Sequence, residues 1–395
     1  MDIPKLIRPC WVEISAQSFE ENYRFLQSLA AGHADLLAVV KSDAYGHSLD
    51  LCAPAAARAG ARWLGVTSVE EAVAARALCP EAALLVMSGC FPGEGPAVIE
   101  HRLTPVVWEP WHLDELEAAA HAAGLGPQSL PVHLEIDTGM SRQGASPDGL
   151  PALLARFAVD SPLRLDGILT HLFASDETDG RATKEQMVRL DEALQITSAA
   201  GLWPQWLSVG ASAALLSGET VQIGALAEKW GMKAMLRPGL ALYGVAPQFQ
   251  PDEPPAVAAA RALLRPVLSW KTRVVSVRRV PAGAVVGYNG AFVATEPMRL
   301  ALLAVGYADG LDRRLGNRFS LLVRGQRAPL VGRISMDLAV IDVTEIDAVV
   351  PGDEVVILGT HGDDTITALE HAEATGTIPW EVFTRIGARV CRVIV

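Results

Sequence analysis

Short apolar runs alternate with stretches of helical spacing along the N-terminal three-fifths of the chain. Runs at 36–40, 63–67, 83–87, 103–107, 132–136, 165–170, 206–209 and 233–237 are bounded by small or polar residues and read as buried strands. Between them, residues 49–60, 110–123, 148–158 and 181–200 read as helices, with a shorter one before 103. Ser68 and Glu71 have capping-box spacing for the helix that follows the second run. Eight strand–helix units in about 240 residues match a closed barrel of parallel strands. A doubly wound sheet is the rival fold. It would carry a glycine-rich phosphate turn after its first strand, whereas that turn here reads SDAYGH. Ahead of the barrel, residues 9–15 (PCWVEIS) alternate as a strand does. Ser15 can cap a helix with Phe19, Tyr23, Leu26 and Ala30 on one stripe.

The texture changes after about residue 245. Residues 245–262 are proline-rich, lack an amphipathic period and read as a linker. Beyond them, segments at 269–280, 284–295, 299–305, 319–323, 330–343 and 354–358 are β-branched and separated by Gly, Pro and Asp turns. A helix at 368–374 and a strand at 388–395 close the chain. The fold expected is an α/β protein: a (β/α)8 TIM-type barrel over 1–250, then a smaller, mainly β domain over 262–395. Residues 9–15 are a candidate to pair with the second domain.

Composition narrows the function. Half of the 395 residues are hydrophobic, enough for a large core, and the net charge of −12 argues against nucleic acid or an anionic membrane as partner. The five cysteines are scattered without a CxxC pair, which suits a reducing compartment. The nine histidines show no metal-ligand spacing. The start, MDIPKLIRPC, has no apolar signal core, and no run is long enough to span a bilayer. A cytoplasmic protein is expected.

Barrel chemistry collects at the C-terminal ends of the strands. The stretch LLAVVKSDAYGH puts Lys41 at the end of the first one. Partial desolvation there lowers an ammonium's pKa and makes the amine nucleophilic toward an aldehyde. Arg142 falls in the loop after the fifth strand, where a guanidinium can recognise a carboxylate. His171 ends the sixth. Ser212 and Gly239–Leu240 lie in the loops after the seventh and eighth, where barrels of this type bind phosphate.

The same stretches resemble the alanine racemases, fold-type III enzymes that use pyridoxal 5'-phosphate. AVVKSDAYGH is similar to the family's cofactor-lysine motif, with Ser48 where a glycine is usual. DTGMSRQG resembles DTGM-x-R-x-G. THLFASD resembles its THF segment, with Leu172 as an extra residue before Phe173. SVGASAAL, LRPGLALYG, VGYNGAF, GYADG and GRISMD follow in the family's order.

The resemblance implies that Lys41 carries the cofactor aldehyde, and that Tyr45, Ser212, Gly239 and Leu240 meet its phosphate. Arg237 would lie at the pyridine nitrogen, and His171 would join a hydrogen-bond chain to the catalytic tyrosine. Tyr288, of the other subunit in a homodimer with shared sites, would be the second base. Arg142 and the backbone of Met336 would bind the substrate carboxylate. Glu135, Tyr307 and Asp337 would support them, with no metal.

The activity implied is interconversion of L- and D-alanine by two bases, supplying D-alanine for the bacterial cell wall. A racemase of serine or broader range, a decarboxylase of the same barrel class, and a non-catalytic cofactor-binding protein are the alternatives. Three further positions depart from the family. Trp380 stands where a tyrosine is common, Ser208 where a histidine supports the arginine, and Glu135 where many members have a lysine, often carbamylated. Glu135 is therefore expected to pair with Arg142, directly or through a water.

Overall fold

A computed structural model describes residues 8–395. The chain forms two compact units: Gln17–Ala44 with Leu49–Arg265, and the described residues up to Ala16 with Tyr45–Ser48 and Pro266–Val395.

After a first strand, β1 (Cys10–Ile14), the chain lays down eight parallel strands that close on themselves. They are β2 (Asp35–Val39), β3 (Trp63–Val66), β4 (Ala83–Val86), β5 (Thr104–Val107), β6 (Leu130–Glu135), β7 (Leu163–Leu169), β8 (Trp206–Ser208) and β9 (Lys233–Leu236). Closure comes from Asp35 and Leu36 pairing with Met235 and Leu236. Their continuous apolar character follows from burial on both faces, against the barrel interior and the surrounding helices. The helix Ala16–Ala30 buries Phe19, Tyr23, Leu26 and Ala30 as its spacing requires. It also buries Asn22, which is satisfied by the backbone of Leu242 and Arg265. The expected barrel is thus the observed one.

The stretch read as a linker is in part a helix, Pro255–Leu263, and the first unit runs on to Arg265. Pro254 and Pro255 stand at its N-terminus, where a missing N–H costs nothing. The alanine-rich remainder favours helix and buries only Val257 and Ala260, so the apolar stripe is too thin to register as a period.

In the second unit β1 pairs antiparallel with β10 (Leu268–Val280) and parallel with the last strand, Cys391–Ile394. The predicted strand 284–295 is broken. Two short strands, β11 (Val285–Val286) and β12 (Phe292–Val293), flank a one-turn bulge, Tyr288–Gly290. Gly287, Asn289 and Gly290 all have positive φ, the signature of a tight Asn-Gly turn. The predicted strand 330–343 survives only as Ala339–Asp342, because Gly332 turns the chain at φ 78°. Pro379–Thr384 is an additional short helix. All five cysteines are free. Among the described residues, no helix is long and apolar enough to cross a membrane, and no His/Cys/Asp/Glu cluster could hold a metal.

Candidate active site

Lys41 stands just past the end of β2, held there by backbone bonds from Val39 to Pro238 and from Val40 to Gly65. The next four residues, Ser42 to Tyr45, turn as a left-handed helix with φ of 53–55°. Such a conformation costs about 1–2 kcal/mol for each residue bearing a Cβ. The compensation is visible. The Ser42 N–H donates to Glu71 Oε1 at 2.5 Å, Ala44 N–H to Val40 O at 2.9 Å, and Leu49 N–H to Asp43 Oδ1 at 2.7 Å. Glu71 thus does more than its capping spacing implied. Its N–H is capped by Ser68, but its carboxylate takes the N–H groups of Ser42 and Thr67. Burial pushes the Lys41 ammonium below the usual lysine range, and the positive charges of Arg142 and Arg237 push the same way, with Glu71 opposing.

Arg237, at the end of β9, is only 5% exposed. It donates from Nη1 to Ser208 Oγ and from Nη2 to Thr170 O, both at 2.8 Å. Nη2 also lies 3.3 Å from His171 Nδ1. A guanidinium has only donors, so Nδ1 is the acceptor and the imidazole proton sits on Nε2. Burial and the cations Arg237, Arg142 and Lys41 drive the His171 pKa down to about 3, which keeps the ring neutral. Ser212 Oγ, buried, accepts the N–H groups of Gly239 and Ala241 at 3.1 and 3.2 Å. The hydroxyl therefore ties the loops after β8 and β9 together beside Leu240, and its own proton remains free to donate outward.

Glu135 makes no direct ion pair with Arg142. Its carboxylate, 3% exposed, accepts a 2.5 Å hydrogen bond from Gln143 Nε2, while Arg142 lies exposed on the same loop. Desolvation by the barrel raises the Glu135 pKa, against the lowering pull of Gln143, Arg237 and Arg142. Gln143 gets there first because its amide also reaches Met87 O, at 3.2 Å, and so bridges two strand ends. The family pattern leaves its position open, and nothing in the sequence singled it out.

The remaining candidates belong to the second unit. Tyr288 is 67% exposed, Met336 55% and Tyr307 43%, a high exposure for large apolar side chains. Their loops touch through glycines. A Cβ on Gly306 would lie 2.3 Å from Met336 O, and one on Gly332 would lie 2.8 Å from Val286 O. Tyr307 N–H donates to Ser335 O, and Ala308 N–H to Met336 O, both at 3.0 Å. Asp309, a residue of GYADG, clasps this rim from beneath. Its buried carboxylate takes Arg8 at 2.8 and 2.9 Å, Arg389 at 2.7 Å and the Gly306 N–H at 2.8 Å. Asp337 takes Arg389 at 2.7 Å. Arg8, Asp309 and Arg389 were not foreseen. Tyr45 is buried and its phenol is pushed well above the ordinary tyrosine range, while Trp380 is half-buried at the start of its short helix.

Residues 14–247 match the N-terminal domain of alanine racemase and residues 267–394 its C-terminal domain. The chain belongs to the alanine racemase family. The alanine racemase of Syntrophobacter fumaroxidans is 35% identical over 377 residues, covering 95% of each chain. That of Sorangium cellulosum is 36% identical over 400 residues, covering 98% of this chain and 99% of its own. Among solved structures, the alanine racemase of the D-cycloserine producer Streptomyces lavendulae has a TM-score of 0.87 at 34% identity, over 100% of this chain and 98% of its own. The Bartonella henselae alanine racemase, which carries covalently bound pyridoxal phosphate, has a TM-score of 0.83 at 27% identity, over 98% and 99% of the two chains. Alanine racemases are isomerases, and this chain carries both of the family's domains in order.

Proposed function

We propose that the chain is a pyridoxal-phosphate-dependent racemase interconverting L- and D-alanine, a cytoplasmic homodimer that supplies D-alanine for the bacterial cell wall. The observation that carries this reading is Lys41, half-buried at the end of the first barrel strand with its ammonium pKa lowered by burial, Arg142 and Arg237.

The donor set fits the cofactor. Lys41 would take the aldehyde. Ser212, Gly239 and Leu240, with Tyr45 by resemblance, would take the phosphate. Arg237 would face the pyridine nitrogen. When bound, pyridoxal phosphate supplies an electron sink next to the substrate Cα. Arg237 keeps that sink weak: burial lowers its pKa only to about 10, so it stays cationic at neutral pH and disfavours protonation of a ring nitrogen beside it. His171 and Ser208 hold the guanidinium in place.

Inversion at Cα needs a proton removed on one face and returned on the other. Lys41 serves the face on which the D-substrate proton lies, and its lowered pKa leaves more of the amine free to accept it. Tyr288 of the partner subunit serves the opposite face. The 67% exposure of this tyrosine supports that role, since a catalytic phenol so open on its own unit must be covered by something else. Each positioned base contributes about 10²–10⁴ in rate. Arg142 and the Met336 N–H bind the substrate carboxylate.

A chiral assay over L-amino acids with the holoenzyme tests the reading. Alanine should give the highest kcat/KM for racemisation. A serine value equal to it would overturn the alanine preference alone, whereas loss of carbon dioxide without racemisation would overturn the racemase.

A further inference from the structure

The loop that carries Arg142 is an excursion from the end of β6. Its neck is closed by backbone bonds, Ala145 N–H to Glu135 O at 2.7 Å and Asp137 N–H to Ala145 O at 3.1 Å. Gly144 makes this possible, since its φ is 115° and a Cβ there would lie 2.5 Å from the Asp137 nitrogen. The near half of the loop is well anchored. Asp137 Oδ1 accepts the N–H groups of Gly139 and Ser141, Arg189 donates to Thr138 O at 2.7 Å, and Thr138 Oγ1 bonds Thr170 and Gln186. On the Arg142 side the anchor is the Gln143 amide, which reaches back to Glu135 and across to Met87.

We propose that Gln143 is a positioning residue for substrate recognition. By bridging the Glu135 carboxylate and the Met87 carbonyl it fixes the backbone of the adjacent Arg142, so that this guanidinium meets the substrate carboxylate in one geometry. The proposal rests on the reading of Arg142 as a carboxylate-binding residue. The physical basis is that a charge-assisted bond between half-buried and buried partners is strong and directional. A long exposed side chain such as Arg142, by contrast, is positioned only as well as its backbone is. Glu135 then acts through Gln143 rather than by touching Arg142.

Steady-state kinetics of Gln143→Leu, an apolar side chain that cannot donate, test this in the holoenzyme. KM for alanine should rise about tenfold, the loss expected for one hydrogen bond to a charged group. The inhibition constant of propionate, a carboxylate without an amine, should rise by the same factor. The visible absorbance of the bound cofactor and kcat should stay within about twofold, because the bridge does not reach them. Glu135→Gln keeps an acceptor for the Gln143 amide and should restrain both rises to less than those of Gln143→Leu. Unchanged KM and propionate inhibition in Gln143→Leu, or a fall in kcat alone, would overturn the proposal. Should that variant fail to fold, Gln143→Asn, whose shorter amide cannot span both acceptors, is read by the same criteria. Arg142→Ala separates the two levels. If it leaves propionate inhibition intact, the carboxylate role of Arg142 has failed. If it abolishes that inhibition while Gln143→Leu does nothing, only the bridge has.

Discussion

Arg237 Nη1 donates a 2.8 Å hydrogen bond to Ser208 Oγ, and both side chains are buried. A hydroxyl at this position therefore keeps the guanidinium supported where the family commonly uses a histidine. The smaller residue fits because Arg237 finds its other partners in Thr170 O and the neutral His171. Ser208→Ala should leave a buried charged donor short of an acceptor and cost about 1–3 kcal/mol of stability. Urea unfolding checks this, and a midpoint equal to wild type would mean that Ser208 contributes nothing to holding Arg237.

A second prediction concerns pH. Among the described residues, His133, fully buried, has no hydrogen-bond partner on either ring nitrogen, and Asp166 Oδ2 lies 3.9 Å from Nε2. Gly167 leaves room for the ring, since a Cβ there would lie 2.6–2.7 Å from its atoms. Burial drives its pKa from 6.5 to about 3. His112 is lowered to about 4 by the same cause, and its Nδ1 accepts the Glu109 N–H at 3.2 Å. Below pH 6.5 the unfolded chain binds protons that the native state refuses, so stability falls as pH falls, by about 1.4 kcal/mol per pH unit for each such histidine. Glu219 works in the opposite sense. Its carboxyl is raised from 4.5 to about 7, so the native state takes that proton first and gains stability over the same interval. The comparison between proteins isolates one group. Between pH 7.5 and 5.5, His133→Leu should lose about 1.4 kcal/mol less than wild type in urea titrations. Identical pH slopes would contradict a neutral, buried His133.

Much of the barrel is legible in the sequence because parallel strands buried on both faces are uninterrupted apolar runs, and 36–40 or 165–170 resemble little else. The helix at Pro255–Leu263 is not, since two buried side chains make no visible period. The interruptions at Tyr288–Gly290 and after Gly332 are written in glycines that also suit ordinary strand-ending turns. The left-handed turn after Lys41 is carried by Ser42, Asp43, Ala44 and Tyr45, none of them a glycine, and is stabilised by Glu71 from the first turn of the helix Val69–Leu78. No local signal could announce it. Positions Lys41, Arg142, Ser212 and Arg237 are legible as strand-end residues, but most of their partners are not; Ser208 beside Arg237 is marked only by the family resemblance. The Glu135–Gln143 bond skips Arg142 because a planar amide that also reaches Met87 fits the gap between strand ends, a fact of three-dimensional spacing rather than of charge.

The central claim is that two bases, Lys41 from one copy and Tyr288 from another, share one site. Mixing inactive variants tests it most directly. Lys41→Ala and Tyr288→Phe, each prepared with pyridoxal phosphate, should be nearly inactive alone in alanine racemisation. Refolded together, they form mixed dimers in which one of two sites carries both bases. About half of a wild-type dimer's activity should return for each mixed dimer formed, on the two-base account. Mixed dimers demonstrated by mass spectrometry that nevertheless remain as inactive as the parents would contradict it.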